Sequence, residues 1–312
     1  MEFTLANLTT ADGERAAIAL STGYFRLDKL APARFPGSLR ELLNNWQAGY
    51  PEAVRLAEAC ARAGSSSPAY VATAEARLTT PVKYPSKLVC VGGVYRDHLR
   101  EFDLPAERFP NMPMFLRAPT TSITGPSEPV AIPPNTQQFD WEVELALIIG
   151  ARITDADLDS ARAAIVGYSV GCDMTCRDLL DRNSPTGVDL VRAKAQDGMA
   201  PVGPTLMPAE FVGDPQRLGL RLYVNGEIKQ NGTTSDMLYS VYEQVATISR
   251  FITLEPGDVV FTGSPAGSGA SIGQFLKAGD RVRAEIDKVG CLEFEIKSPR
   301  TRPRGYTEAL NT

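Results

Sequence analysis

The stretch Asp140-Trp141-Glu142-Val143-Glu144-Leu145-Ala146-Leu147-Ile148-Ile149-Gly150 constrains the fold most, because it reads as a buried strand that nonetheless carries carboxylates. Side chains alternate along a strand. Trp141, Val143, Leu145, Leu147 and Ile149 therefore share an apolar face, and Asp140, Glu142, Glu144, Ala146 and Ile148 share the other. Glu142 and Glu144 point the same way, about 7 Å apart along the strand. Ionised, they repel each other, and a carboxylate taken out of water is costly unless a cation or strong donors meet it. Two readings follow: an edge strand with a solvated acidic face, or a carboxylate pair facing a hard metal ion.

At 312 residues, 43% of them hydrophobic, the chain is long enough for one large core and a smaller domain. No apolar run approaches the roughly 20 residues of a membrane span, and Met1-Glu2-Phe3-Thr4 opens no targeting segment, so a cytoplasmic protein without a membrane partner is expected. With 32 basic against 37 acidic residues and no Lys/Arg cluster, no nucleic-acid partner is expected. The five scattered cysteines fit reduced thiols better than a disulfide framework. With a single histidine in the chain, Cys172 and Cys176 have too few partners to hold zinc.

Residues 1–85 read as a small N-terminal α/β unit: short apolar runs suited to strands, a helix capped by Ser38, a second helix starting at Pro51 and stopping near Gly64, and a linker at 65–68. Nothing in it suggests chemistry. From Lys87 the parse is strand, glycine turn, short helix. On that helix His98 and Glu101 are three apart, the spacing at which a carboxylate holds an imidazole in one tautomer; an incidental ion pair at a helix end is the plainer alternative. The proline-rich stretch 104–134, interrupted by a strand at 114–117, suits a lid or surface wrapping.

A helix is expected to start at Thr154 or Asp155, leading to a strand over 165–173 that ends in Asp173. If 174–180 turns helical, Arg177 returns to the side of Asp173, which is either a functional acid or a simple helix cap. Lys194, in a polar run before Pro201, reads by itself as a solvated lysine. Asn225-Gly226 marks a hairpin turn and Ser240-Val241-Tyr242-Glu243 a capping box. The strand 258–261 runs into Thr262-Gly263-Ser264-Pro265-Ala266-Gly267-Ser268-Gly269, whose glycines let backbone amides approach an anion. A last strand pair fills 279–296, and the tail after Pro299 reads as loosely held.

With few helices and many strands from residue 86 onward, the expected fold class is α+β, mostly β: a mixed-sheet sandwich or barrel-like roll over 86–312 beside the small domain of 1–85. Several motifs in this order resemble the fumarylacetoacetate hydrolase superfamily: Val91-Gly92-Gly93-Val94-Tyr95-Arg96-Asp97-His98, Asp140-Trp141-Glu142-Val143-Glu144-Leu145, Asp173-Met174-Thr175-Cys176-Arg177-Asp178, Lys194 through Pro204, Val224-Asn225-Gly226-Glu227, Leu254-Glu255-Pro256-Gly257-Asp258 and Thr262-Gly263-Ser264-Pro265-Ala266-Gly267. The resemblance, to acylpyruvase-like and 2-hydroxyhepta-2,4-diene-1,7-dioate isomerase-like members, covers about residues 86–297.

The resemblance implies that Glu142, Glu144 and Asp173 hold a divalent ion, and three oxygen ligands suit Mg²⁺ or Mn²⁺. It implies that His98, Glu101 and Lys194 are catalytic and that Tyr95, Arg177, Thr262, Gly263 and Ser264 contact substrate. Ser264 stands where threonine is usual and keeps a hydroxyl; Val94 stands where asparagine is usual and Leu180 where glutamine is common, and from these two departures the distal part of the substrate is expected to be more apolar. The implied activity is a hydrolase of aromatic catabolism cleaving a carbon-carbon bond in an acylpyruvate or related 2-oxo or diketo acid, with water activated by His98 and Glu101. On the same scaffold stand an oxaloacetate-type decarboxylase, an isomerase and a 2-oxo-sugar-acid dehydratase; a binding protein without turnover is the reading from another class. A homodimer through the β-rich domain is also implied.

Overall fold

The computed structural model describes residues 1–181 and 187–299, so the expectation for the tail after Pro299 lies outside the described residues. The Val143–Ile149 strand is interior: it pairs antiparallel with Ile165–Cys172 on one side and Val259–Phe261 on the other, and every one of its residues is buried. A solvated acidic edge is excluded. Past Val259–Phe261 the sheet continues through parallel Leu88–Val91 to Met114–Arg117. In the other direction it runs through Ile165–Cys172 and Ala200–Pro208 to Thr4–Thr10, Gly13–Leu20 and Gly23–Arg26.

A second sheet orders Glu227–Thr233, Gly219–Val224, Arg281–Ile286, Gly290–Lys297 and Val130–Ala131. Leu220, Leu222, Ala284 and Leu292 of that sheet share one apolar cluster with Val143, Leu145, Leu147 and Val170. Ala146 and Ile148, on the opposite face of the same strand, share a second cluster with Phe25, Leu39, Leu42 and Leu43. Each buried Val, Leu, Ile or Phe among them contributes roughly 1.5–3 kcal/mol by leaving water. The strand is thus clamped from both faces; it is shorter than the 140–150 stretch suggested, so Glu144 is its one carboxylate, Glu142 lies just before it, and Asp140 pairs in a separate short ladder. The expected mixed-sheet, mostly β architecture is observed, and neither sheet closes into a barrel among the described residues.

The hairpin and the capping box form as the sequence suggests. Asn225 and Gly226 both take positive φ, at 52° and 84°, as a two-residue hairpin turn requires, and Ser240 and Glu243 cap Val241–Phe251 reciprocally. Four local expectations differ. Ser38 stands at the start of Leu39–Asn44 but its side chain makes no capping hydrogen bond; Leu39 N donates instead to Asn7 Oδ1 at 2.8 Å. The helix Trp46–Ala63 starts before Pro51, its first turn packed by Trp46 stacked on Tyr50 at 4.4 Å. Leu158–Ala164 is capped by Asp157, whose carboxylate accepts from Ser160 N, and not by Thr154 or Asp155. Thr175–Cys176 forms a short strand against Phe139–Asp140 before a 3₁₀ turn at Arg177–Leu179, because both segments have a strand partner within reach that an isolated helical turn lacks. No helix of the described residues is long and apolar enough to cross a membrane.

Candidate functional site

Strand register assembles the acids. Val143 lies opposite Cys172 and Glu144 opposite Gly171, so Asp173, one residue beyond, comes level with Glu142, whose carbonyl accepts from Asp173 N at 2.9 Å. Glu142, Glu144 and Asp173 are buried, and one carboxylate oxygen from each lies within 4.8 Å of the others. Asp173 is no helix cap: its carboxylate meets Arg117 and Lys194. Lys194 is itself buried, with Nζ 2.7 Å from Glu142 Oε2, so it is not the solvated lysine its local sequence suggests. The short strand pairing Asp140 with Thr175 brings Arg177 alongside, where Nη2 lies 2.5 Å from Glu142 Oε1 and Nε 2.7 Å from Asp140 Oδ2.

The carboxyls are pulled in opposite directions. Burial opposes the charge of Glu142, but Lys194 and then Arg177 outweigh it and hold its pKa down to about 2. Burial, followed by repulsion from Asp173 and Glu142, drives Glu144 well above the usual carboxylate range. A divalent cation would relieve that burden at Glu144, and an all-oxygen donor set of three carboxylates fits a hard ion such as Mg²⁺ or Mn²⁺. The buried thiols offer no competing softer site. Burial pushes Cys176 up to about 12, far from thiolate at neutral pH.

His98, on the Arg96–Arg100 helix, places Nδ1 2.6 Å from Glu101 Oε1. Glu101 also accepts from Gly267 N at 2.8 Å and Ser268 Oγ at 3.1 Å. A carboxylate only accepts, so Nδ1 carries a proton, and in the neutral imidazole that leaves the lone pair on Nε2. Burial raises the Glu101 pKa, yet the hydrogen bonds from His98 and Gly267 win and leave it below its ordinary value. The sign is therefore that of a depressed acid: its contribution to stability is complete above the unfolded pKa of about 4.3 and is lost as pH falls through the folded one. Glu101→Gln is expected to flatten the stability profile on that acid side. Denaturant melts between pH 3 and 6 that fall as steeply as those of the parent would refute it.

The loop after Val259–Phe261 ties dyad and triad together. Gly263 N donates to Glu144 Oε2 at 2.6 Å, and its φ of +86° and a would-be Cβ 2.6 Å from Val94 Cγ2 admit only glycine. The hydroxyls of Thr262 and Ser264 donate to the carbonyls of Leu145 and Val143, both at 2.9 Å, so both side chains face the strand. Gly269 N and Ala270 N hold Asp140, at 2.7 and 3.0 Å, and Asp140 in turn orients Arg177. Tyr95 is fully buried, and its hydroxyl has no hydrogen-bond partner among the described residues. Sequence reasoning missed Arg117, fully buried with Nη1 on Asp173 and Nη2 3.3 Å from the Met174 carbonyl. An arginine ending the otherwise apolar strand Met114–Arg117 was the available signal. The glycine loop 262–269 does bring amides to anions as its sequence suggests, but that Gly267 and Ser268 meet Glu101 depends on a loop fold that local sequence does not set.

Residues 87–297 match the fumarylacetoacetate (FAA) hydrolase C-terminal family. A mitochondrial oxaloacetate tautomerase of Xenopus laevis is 38% identical over 221 residues, covering 70% of this chain and 68% of that protein. A putative HpcE protein from Mycobacterium smegmatis superposes with a TM-score of 0.80 at 30% identity, over 95% of this chain and 99% of that one. The maleylpyruvate hydrolase of Sphingobium sp. SYK-6, solved with manganese(II) and pyruvate, superposes with a TM-score of 0.75 at 28% identity, over 95% of this chain and 100% of that one.

Proposed function

Because the chain belongs to the fumarylacetoacetate hydrolase C-terminal family, we propose that it is a divalent-metal-dependent enzyme that interconverts the keto and enol forms of a small 2-oxo diacid, an oxaloacetate tautomerase. The observation that carries the reading is the buried carboxylate triad joined through one loop to a histidine-glutamate dyad. Its 38% identity to a named oxaloacetate tautomerase supports the choice of reaction over the carbon-carbon hydrolysis that the sequence alone suggested.

Glu142, Glu144 and Asp173 would hold the ion, which supplies Lewis-acid polarisation of the 2-oxo group when bound. The chain's own groups do the rest. His98 Nε2, its tautomer fixed by Glu101, takes the proton from the carbon beside the keto group, and the developing oxyanion receives that proton equivalent to give the enol. Lys194 places positive charge where the oxyanion forms, and Arg177 offers its guanidinium to a substrate carboxylate. Tyr95 and the Thr262-Gly263-Ser264 backbone line the same region in this reading.

Hydrolysis of an acylpyruvate is the second reading, favoured by one observation: the maleylpyruvate hydrolase likeness spans 95% of the chain, residues before 87 included, whereas the tautomerase match spans 70%. A panel of enol-oxaloacetate and acylpyruvates, assayed with Mg²⁺, Mn²⁺ and EDTA, separates the two. Metal-dependent ketonisation, abolished by EDTA and unaccompanied by pyruvate formation, is expected. Acylpyruvate cleavage without ketonisation would transfer the assignment to the hydrolase, and CO₂ release to the decarboxylase. A homodimer remains part of the proposal and is read by light scattering.

A further inference from the structure

Glu227–Thr233 is the outer strand of the second sheet, and along it Gln230 is the one buried residue, at 0% exposure. An edge strand that buries only a carboxamide gains little from apolar transfer, so the hydrogen bonds of that group must account for its burial. They do so fully. Oε1 accepts from Val143 N at 2.8 Å, and Nε2 donates to Ser264 Oγ and to the Pro265 carbonyl, each at 2.8 Å. Ser264 Oγ closes the ring by donating to the Val143 carbonyl at 2.9 Å.

The residues so joined flank the chemistry. Val143 sits between Glu142 and Glu144, while Ser264 and Pro265 sit between Gly263, whose amide holds Glu144, and Gly267, whose amide holds Glu101. The loop is seated on the same strand elsewhere: a Cβ at Gly267, at φ +101°, would run into the Lys229 carbonyl oxygen, and one at Gly232 would overlap Pro265. We propose that Gln230 is a positioning residue whose carboxamide fixes the amide loop against the carboxylate strand, setting metal ligands and His98–Glu101 base at one spacing. This rests on the reading of those groups as the active site. A side chain with only a packing role would tolerate methionine, which matches glutamine in length and forms none of the three bonds.

The test uses the full chain carrying Gln230→Met, Gln230→Glu or Leu222→Ala, the last a buried apolar residue directly opposite Gln230 on the neighbouring strand, which controls for loss of packing there without removal of the three bonds. Hydrogen exchange over 262–269, calorimetric titration with Mn²⁺ alone, and kcat and KM on enol-oxaloacetate are read for each. Gln230→Met is expected to speed exchange in 262–269 specifically and to weaken Mn²⁺ affinity by about 10- to 100-fold, with the activity loss falling on kcat. Gln230→Glu keeps the acceptor for Val143 but, ionised, has no donor for Ser264 and Pro265, so it carries the test if the methionine variant does not fold. Leu222→Ala should lose stability without those effects. Wild-type loop exchange and Mn²⁺ affinity in the Gln230 variants, or the same changes in Leu222→Ala, would overturn the proposal. Failure of the parent to turn over enol-oxaloacetate would sink the substrate assignment alone, since exchange and Mn²⁺ binding still report on Gln230.

Discussion

His98→Gln is expected to lower kcat on enol-oxaloacetate by about 100- to 10,000-fold, the usual contribution of a positioned general base, while Mn²⁺ titration stays at the parent value. The separation follows from the structure. His98 is bound to Glu101 and lies on its own helix, whereas the three carboxylates are fixed by the pairing of Val143–Ile149 with Ile165–Cys172. Glutamine keeps a hydrogen-bond donor for Glu101, so the Gly267 and Ser268 contacts to that carboxylate should survive, and the loss is confined to the missing Nε2 lone pair. Near-parent turnover would remove His98 as the proton carrier. Loss of both turnover and Mn²⁺ binding would mean that the helix and the acid site are coupled more tightly than their separate elements imply.

Arg117→Met should be the most destabilising single change in the site, costing about 3–5 kcal/mol in EDTA, the range for removing one partner of a buried ion pair. Arg117 and Asp173 are 0% and 2% exposed at their side chains, so water cannot replace the lost guanidinium. Lys194 remains on Asp173, but it also serves Glu142 and cannot neutralise both carboxylates with one charge. Saturating Mn²⁺ should recover part of the loss, because a cation that binds the folded state alone stabilises it by mass action. Denaturant melts of the variant with EDTA and with Mn²⁺ give the comparison. A loss below 1 kcal/mol, or one that Mn²⁺ leaves unchanged, would show that Arg117 does not share the neutralisation of the acid site.

Local chemistry made several elements readable. The hairpin followed from Asn225-Gly226 because few residues tolerate two successive positive φ angles, and the helix over 241–251 from a capping box that two side chains complete within one turn. Glu142 and Glu144 stood out because charge in an apolar strand needs a partner. By contrast Pro51, Thr154 and Asp155 misled as helix starts, since packing of Trp46 on Tyr50 and the reach of Asp157 to Ser160 outweigh local propensity. Lys194 read as solvated because nothing adjacent in sequence reveals the two carboxylates it meets 52 and 21 residues away.

By itself, the sequence determined that a buried strand runs through most of 140–150, over Val143–Ile149, beside two carboxylates, that His98 has Glu101 within one turn, and that the ordered motifs belong to one superfamily. Each of these depends on contacts or patterns along the chain. Only the tertiary structure decided that both faces of Val143–Ile149 are covered, that Asp173 comes level with Glu142, and that Arg117, Lys194 and Arg177 converge on these acids. The physical reason is that strand register and loop closure set those distances. A one-residue slip in either would leave every local pattern intact while turning the carboxylates away from their cations.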